Sequence, residues 1–246
     1  MKAVILGGTS GMGREIARRL AERGDSTFLL GIGDDDLARS AADLKARHPK
    51  QLETGVAVCD LERPETFAPS LDAADAALGG FDTVVVTAAL FASQDALEAD
   101  IELTRRLVTV NYAHTVVFCE HARKRLISRG GGKLTVFSSV AGDRGRKPVV
   151  LYGSSKAGVS AYLEGLDHKF HDAGLQVLCV KPGFVKTGMT AGLKPPPFAG
   201  EPEQVARDVV NAMDRGKAVL YTPRMWMLVM MVIRWLPRFV MRKIGF

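Results

Sequence analysis

A tyrosine and a lysine stand four residues apart, at Tyr152 and Lys156. This spacing places both side chains on one face of a helix. A free tyrosine has a pKa of about 10, which is too high for ready proton exchange at neutral pH, and a nearby cation favours the phenolate and lowers that pKa. The pair can therefore serve as a general acid and base. A solvated pair on a helix surface is the alternative.

Two serines, Ser138 and Ser139, end a predicted strand shortly before the tyrosine. A serine hydroxyl at this place can hold a reacting oxygen while Tyr152 transfers the proton. We favour Ser139, because neighbouring residues of a strand point to opposite faces and Ser138 then points away. A polar strand end without a chemical role is the alternative.

Glycines cluster where the first predicted strand passes into the first predicted helix, at Gly7, Gly11 and Gly13. Such glycines allow a sharp turn and a close approach of the backbone to a pyrophosphate, and a helix start offers free N–H groups to phosphates. The motif predicts a dinucleotide-binding loop, and an ordinary tight turn is the alternative. The other loop residues assigned to this role are Thr9, Ser10 and Met12.

Short apolar runs alternate with helical patterns along the whole chain. Near-continuous apolar strands are typical of a parallel sheet covered on both faces. The alternation predicts an α/β fold with one Rossmann-like, doubly wound parallel sheet of about seven strands. We predict this domain over residues 1–223, followed by a separate C-terminal segment over residues 224–246. The predicted strands are Lys2–Leu6, Ser26–Gly31, Thr54–Val58, Thr83–Thr87, Lys133–Ser138, Leu175–Val180 and Ala218–Thr222, and the longest predicted helices are Ala96–Leu126 and Tyr152–Phe170.

Composition excludes several classes of protein. Hydrophobic residues make up 47% of the chain, which is enough for a sizeable core and argues against disorder. The three cysteines are scattered without a CxxC pair, so we expect reduced thiols and no metal site. The first residues lead straight into a strand and a glycine loop, and no run reaches the roughly 18–20 apolar residues of a membrane span. We expect a cytoplasmic protein.

The net charge of +6 comes from the C-terminal segment. Without the five cations of that segment, the 33 basic residues fall to 28, against 27 acidic ones. A nearly neutral domain argues against nucleic acid as a partner, and the segment is expected to meet an anionic surface. The segment contains no acidic residue, and its cations are Arg224, Arg234, Arg238, Arg242 and Lys243.

Large apolar residues lie between these cations, which is the pattern of a helix lying on anionic lipid. The uncharged run Met225–Ile233 is too short to span a bilayer, and Pro237 should bend or divide the helix. We expect peripheral membrane contact through Arg224–Phe246. The alternative is an apolar segment that packs on the core or on a partner subunit.

Together these motifs resemble the short-chain dehydrogenase/reductase family over roughly residues 2–222. The resemblance implies an NAD(P)(H)-dependent oxidoreductase that moves a hydride between a nicotinamide and a carbonyl or alcohol carbon, and it implies a homo-oligomer. The catalytic residues that it implies are Asn111, Ser139, Tyr152 and Lys156. The cofactor contacts that it implies are Gly7, Thr9, Ser10, Gly11, Met12, Gly13, Asp60, Leu61, Ala88, Tyr152, Lys156, Pro182, Gly183, Val185 and Thr187, with Asp60 at the adenine ring.

Two places depart from the family pattern. The usual NNAG after the fourth strand is Val-Thr-Ala-Ala here, at residues 86–89, and Leu6 replaces a threonine. The choice between NAD and NADP stays open. The aspartates at 34–36 after the second strand either repel a 2′-phosphate or face water as charges at a helix start.

Within the family, the chain is most similar to the decaprenylphosphoryl-2-keto-ribose reductases. The similar features are the opening Leu6–Ser10, the residues around Tyr152 and the Met-Met-Val tail with its following Pro-Arg and Arg-Lys. This similarity implies a lipid-linked polyprenylphosphoryl 2-keto-pentose as the substrate, reduced at the inner face of the membrane. Gly188–Gly200 is then expected to be a mobile lid. The alternatives are another lipid ketone, 3-ketosphinganine-like or 3-oxoacyl, a soluble dehydrogenase, and a non-catalytic dinucleotide-binding scaffold.

Overall fold

The structure is a computed structural model that describes residues 1–47, 54–192, 194–196 and 198–245. Its strands lie close to the predicted ones, with ends that differ by one or two residues. The strands are β1 Lys2–Leu6, β2 Ser26–Gly31, β3 Thr54–Val58, β4 Thr83–Val86, β5 Gly132–Phe137, β6 Leu175–Pro182 and β7 Val219–Thr222.

Helices separate the strands. The helices are α1 Gly11–Glu22, α2 Asp34–Arg47, α3 Phe67–Leu78, α4 Gln94–Ala99, α5 Ile101–Val108, α6 Thr115–Ser128, α7 Val150–Phe170, α8 Pro202–Asp214, α9 Met225–Trp235 and α10 Arg238–Met241. A π-helical turn, Thr109–His114, joins α5 to α6.

All seven strands form one parallel sheet in the order β3-β2-β1-β4-β5-β6-β7. The predicted doubly wound α/β fold is therefore confirmed. Alternate residues of a strand serve opposite faces. Val4 and Leu6 pack with α3, α6 and α7, whereas Ala3 and Ile5 pack with α1, α2 and α8. The order reverses between β1 and β4, and in such sheets a ligand crevice opens at the carboxyl ends of the strands at that point.

The predicted long helix Ala96–Leu126 is broken, which corrects the sequence interpretation. Asp100 has an extended backbone, and its carboxylate accepts hydrogen bonds from the N–H groups of Glu102 and Leu103. This is N-capping, which starts a new helix after α4 ends. The π-helical turn then divides the remainder.

The C-terminal segment folds against the domain. Pro237 lies between α9 and α10, as predicted. Met230 and Ile233 of α9 are buried in a small apolar cluster with Val140. Among the described residues, no helix combines the length and apolar character needed to cross a membrane.

Candidate active site

A groove of about 480 Å³ opens where the strand order reverses. Its walls come from the start of α1, the ends of β2, β3 and β4, and the segment after β6. Ten of the predicted cofactor contacts line this groove: Gly7, Thr9, Ser10, Gly11, Met12, Gly13, Asp60, Leu61, Ala88 and Thr187. The other five lie outside its lining: Tyr152, Lys156, Pro182, Gly183 and Val185.

The three glycines of the loop have different reasons to be glycine. Gly7 and Gly11 have φ angles of +86° and +47°, which favour glycine. A Cβ on Gly11 would meet nothing closer than Thr187, at 3.5 Å, so this position borders the open groove. A Cβ on Gly13 would lie 2.1 Å from the backbone oxygen of Gly7. Gly13 therefore makes room for the protein's own backbone, and the interpretation that it makes room for a pyrophosphate is corrected.

Thr87 stands where the family pattern has an asparagine, and its hydroxyl contacts the glycine loop. Its hydroxyl lies 3.1 Å from the backbone oxygen of Leu6 and 3.2 Å from that of Gly7. This hydroxyl and the backbone N–H of Thr87, which donates to the oxygen of Leu6 over 2.9 Å, both tie the end of β4 to the start of the glycine loop. Sequence reasoning treated this position only as a departure from a pattern.

Tyr152 and Lys156 lie in the first two turns of α7, as the spacing predicts. The edge of the Tyr152 ring meets Phe91, with centroids 5.2 Å apart and planes at 83°. The ammonium group of Lys156 lies 5.8 Å from the centre of the Tyr152 ring and donates a 2.9 Å hydrogen bond to the backbone oxygen of Phe137. The lysine is thus held at the carboxyl end of β5.

Burial sets the protonation states of this pair. It raises the pKa of Tyr152 to about 12, an effect that the Ser139 hydroxyl opposes. It also lowers the pKa of Lys156 to about 8. The expectation that Lys156 lowers the pKa of Tyr152 is therefore wrong for the chain alone, because loss of water raises this pKa and the group that opposes the rise is the Ser139 hydroxyl. At neutral pH the phenol is protonated and can act as an acid.

The two serines at the end of β5 point to different partners, as strand alternation predicts. Ser138 is buried, and its hydroxyl donates to the backbone oxygen of Lys156 over 2.8 Å and lies 2.7 Å from the Ser160 hydroxyl. Ser138 thus fixes α7 to the sheet. Ser139 accepts a 3.1 Å hydrogen bond from the N–H of Ala141, so its own hydroxyl proton is left to donate elsewhere.

Asn111 is completely buried in the π-helical turn. Its side-chain oxygen accepts from the N–H of Leu90 over 2.7 Å, and its NH₂ donates to the oxygen of the same residue over 2.8 Å. Leu90 lines the groove. The geometry makes Asn111 a clamp on the backbone that follows β4.

The end of β6 lies against the C-terminal segment, part of which therefore packs on the domain, as the alternative interpretation of this segment expected. Pro182 ends the strand, and the N–H of Gly183 donates to the oxygen of Thr222 over 3.0 Å. A Cβ on Gly183 would lie 2.1 Å from the indole nitrogen of Trp226, so the absent side chain makes room for α9. The side chain of Val185 is buried in the core, which leaves only its backbone to meet a ligand.

The predicted lid, Gly188–Gly200, has a fixed base. Gly200 accepts a hydrogen bond from the N–H of Lys186 over 2.9 Å and donates one to the oxygen of Phe184 over 2.8 Å. Met189 lines the groove. Leu193 and Pro197, which the lid prediction includes, lie outside the described residues.

A family model and two related proteins match most of this chain. A family model described as short chain dehydrogenase matches residues 1–197. An uncharacterised oxidoreductase of Mycobacterium tuberculosis is 35% identical, over 98% of this chain and 95% of its own. An uncharacterised oxidoreductase of Myxococcus xanthus is 31% identical, over 87% and 82%.

Two solved structures share the fold. The short-chain type dehydrogenase/reductase from Mycobacterium ulcerans has a TM-score of 0.82 at 23% identity, over 98% of this chain and 97% of its own. A variant of the actinorhodin polyketide ketoreductase, solved with NADPH, has a TM-score of 0.79 at 24% identity, over 89% and 94%. At such identities the likeness concerns the fold alone.

Proposed function

This chain belongs to the short-chain dehydrogenase/reductase family and is an oxidoreductase that uses NAD or NADP, and from that premise we propose that it reduces a ketone to an alcohol. The observation that carries the direction is the protonated phenol of Tyr152 beside the Ser139 hydroxyl. A protonated acid next to a second donor is suited to a carbonyl oxygen that gains negative charge.

Each residue then has a separate task. The nicotinamide supplies the hydride when it is bound. Tyr152 donates its proton to the carbonyl oxygen, and the Ser139 hydroxyl holds that oxygen by a hydrogen bond. Lys156 is charged below its pKa of about 8 and stabilises the phenolate that Tyr152 becomes. Asn111 touches no reacting atom in this scheme and positions Leu90.

The groove fits a dinucleotide. Because Gly11 has no side chain, space is left in the groove beside it. The first N–H groups of α1 have no partners within the helix, and such groups are suited to binding a pyrophosphate. Asp60, Leu61 and Ala88 line the groove farther along and are suited to the adenosine half. Pro182 ends β6, and Gly183, Val185 and Thr187 follow it; these four residues are suited to the nicotinamide half.

The catalytic proposal is tested by Tyr152→Phe, which keeps the ring and removes the proton. Reduction of a ketone should fall by about 10²- to 10⁴-fold, while NADPH or NADH still binds in a fluorescence titration. Tyr162→Phe is the matched control, because Tyr162 is also on α7 but donates to Glu120. Near-normal turnover by purified Tyr152→Phe would remove the tyrosine from the mechanism.

The C-terminal segment supports a lipid-borne substrate, for which we favour a polyprenylphosphoryl 2-keto-pentose. Six of its large side chains are at least half exposed: Met227, Leu228, Met231, Val232, Trp235 and Phe239. Continuous exposed apolar surface of this kind marks an interaction site. The ion pairs of the described residues involve cations of the domain, such as Lys181, and none of the five cations of the segment. Apolar side chains among unpaired cations suit an anionic membrane surface.

The same end of the molecule holds the site and the segment, because α9 follows β7 and contacts Gly183. A peripheral enzyme on the inner face of the membrane would thus present its site to the lipid. The homo-oligomer stays a prediction. Val108, Tyr112 and Val117 are exposed around the π-helical turn and offer apolar surface for a second copy.

Vesicle binding tests the membrane proposal. The intact chain should sediment with phosphatidylglycerol-containing vesicles at low salt and less at high salt, and should ignore pure phosphatidylcholine. Replacing both Trp235 and Phe239 by serine should release it, since each buried aromatic side chain contributes about 1.5–3 kcal/mol. Ile101→Ser, on an equally exposed apolar side chain of α5, is the control. An intact chain that ignores anionic vesicles would favour a soluble enzyme whose segment contacts another subunit.

A further inference from the structure

The segment that joins Ser139 to Tyr152 is rich in cations. It contains three of them, Arg144, Arg146 and Lys147, and a single acid, Asp143. In the chain, these residues lie between Ser139 and Tyr152, the two residues whose hydroxyl groups we assign to catalysis. What each of them contacts therefore bears on which substrates can enter.

Both carboxylate oxygens of Asp143 are engaged by residues outside this segment. Its carboxylate is nearly inaccessible, with 2% of the side chain exposed. One oxygen lies 2.6 Å from the ammonium group of Lys181, and the other accepts a 2.6 Å hydrogen bond from the Tyr221 hydroxyl. The carboxylate of Asp143 is thus bound by residues of β6 and β7.

Two of the cations fasten the segment to the C-terminal helices. Arg144 donates to the backbone oxygen of Leu236 over 2.9 Å, and Lys147 donates to that of Arg242 over 2.6 Å. Both acceptors are neutral. These contacts position the segment without balancing its charge.

Arg146 is the cation left without a partner for its charge. Its Nε atom is buried and makes no hydrogen bond, and among the described residues no carboxylate lies within 4 Å of its guanidinium. Burial lowers its pKa, against the attraction of Asp143, whose carboxylate lies more than 4 Å away and is already engaged by Lys181 and Tyr221. A desolvated cation without an anionic neighbour is costly, and an anion that binds there offsets the cost. The planar fork of arginine matches the geometry of a phosphate.

We propose that Arg146 binds a phosphate group of the substrate, which makes it a specificity-determining residue for phosphorylated ketones. This inference rests on the proposed ketone reduction and names the substrate class of that same site. A phosphate can also come from a lipid headgroup. We commit to the substrate, because Arg146 is half-buried in the segment that joins Ser139 to Tyr152, whereas Arg234 and Arg238 are exposed and better placed for headgroups.

Binding of a matched pair of probes tests the proposal without requiring turnover. Geranyl phosphate and geraniol differ only by the phosphate, and each is titrated by calorimetry into the full chain saturated with NADP⁺. The wild type should prefer geranyl phosphate by about ten- to a hundredfold, as for hydrogen bonds to charged groups. Arg146→Gln should abolish most of this preference and leave geraniol binding unchanged.

Two variants complete the design. Arg207→Gln removes the same charge from the exposed surface of α8 and should keep the preference. Arg146→Lys keeps the charge without the fork and should retain a reduced preference, which covers the case in which Arg146→Gln does not fold. Thermal melting reports folding of each variant. A full preference in folded Arg146→Gln overturns the proposal.

The two sources of phosphate give different results. Arg146→Gln should still sediment with phosphatidylglycerol-containing vesicles. Loss of vesicle binding together with an unchanged geranyl phosphate preference would assign Arg146 to headgroups and overturn the proposal. If Arg146-dependent binding is found but no ketone is reduced, the proposed function fails while the phosphate site stands.

Discussion

The indole nitrogen of Trp226 donates a hydrogen bond to the backbone oxygen of Phe198 over 3.1 Å. The same indole occupies the space beside Gly183 that any larger residue there would fill. One side chain of the C-terminal segment therefore contacts both the end of β6 and the far limb of the predicted lid. The segment thus packs against a predicted cofactor contact and the predicted lid and also offers a candidate membrane surface, so its deletion would disturb both.

Trp226→Phe tests these two contacts, since it keeps an aromatic ring against Gly183 and removes the donor to Phe198. A hydrogen bond of this kind is worth about 0.5–1.5 kcal/mol, so we expect the KM for a short soluble ketone to rise about two- to tenfold with kcat little changed. Steady-state kinetics measures both constants. Trp235→Phe, at a residue 85% exposed, should match the wild type. Equal constants for both variants would show that the indole does not hold the lid.

The pH dependence of reduction should follow Lys156. Its pKa is lowered to about 8, so the charge is present below that pH and is lost as pH rises through it. The pKa of Tyr152, about 12, keeps the phenol protonated throughout. Cys179 also faces the lysine, but burial raises the pKa of its thiol, which stays neutral. We expect kcat/KM for the cofactor to fall above about pH 8. A profile that is flat from pH 6 to about 10 would contradict this assignment.

Alanine at two glycines should separate folding from cofactor binding. Gly13→Ala places a Cβ 2.1 Å from the backbone oxygen of Gly7, and such overpacking costs about 1–3 kcal/mol or more. The melting temperature of the unliganded protein should fall by about 2–4 °C for each kcal/mol.

Gly11→Ala meets no such clash, and the strain of its positive φ is limited to about 1–2 kcal/mol. Its added methyl group borders the groove, so the stabilisation on adding NADPH or NADH should be largely lost. Thermal melts with and without cofactor measure both effects. The opposite pattern, in which Gly13→Ala affects only cofactor binding, would show that Gly13 makes room for the pyrophosphate after all.

Cofactor preference should depend on Asp36, the one aspartate of the three at the start of α2 that lines the groove. Its carboxylate repels a 2′-phosphate and can accept from a ribose hydroxyl. Asp36→Ala should therefore shift the ratio of kcat/KM values towards NADPH by about tenfold, corresponding to roughly 1.4 kcal/mol. Asp35→Ala, which removes an exposed carboxylate of the same turn, should change the ratio less. Equal shifts of the ratio in both variants would mean that the summed negative charge of the aspartates, rather than the position of Asp36, sets the cofactor preference.

Local patterns in the sequence predicted the fold and the main candidates of the site. Alternating strand and helix periods specify the doubly wound sheet because each apolar face must be covered. The i, i+4 spacing placed Tyr152 and Lys156 together, and strand alternation separated Ser138 from Ser139. These inferences succeeded because they concern residues that are close in the chain, where backbone geometry alone decides direction.

Only the tertiary structure decided what lies opposite each of these residues. Gly13 meets the backbone of Gly7, Gly183 meets Trp226, and Arg146 meets no carboxylate of the residues that the structure describes; none of these facts follows from spacing. The pKa of Tyr152 depends on how much water the packed chain excludes. The sequence by itself thus determined which chemical groups are present and on which elements they stand. The packing of distant segments determined their solvation, their partners and the walls of the site.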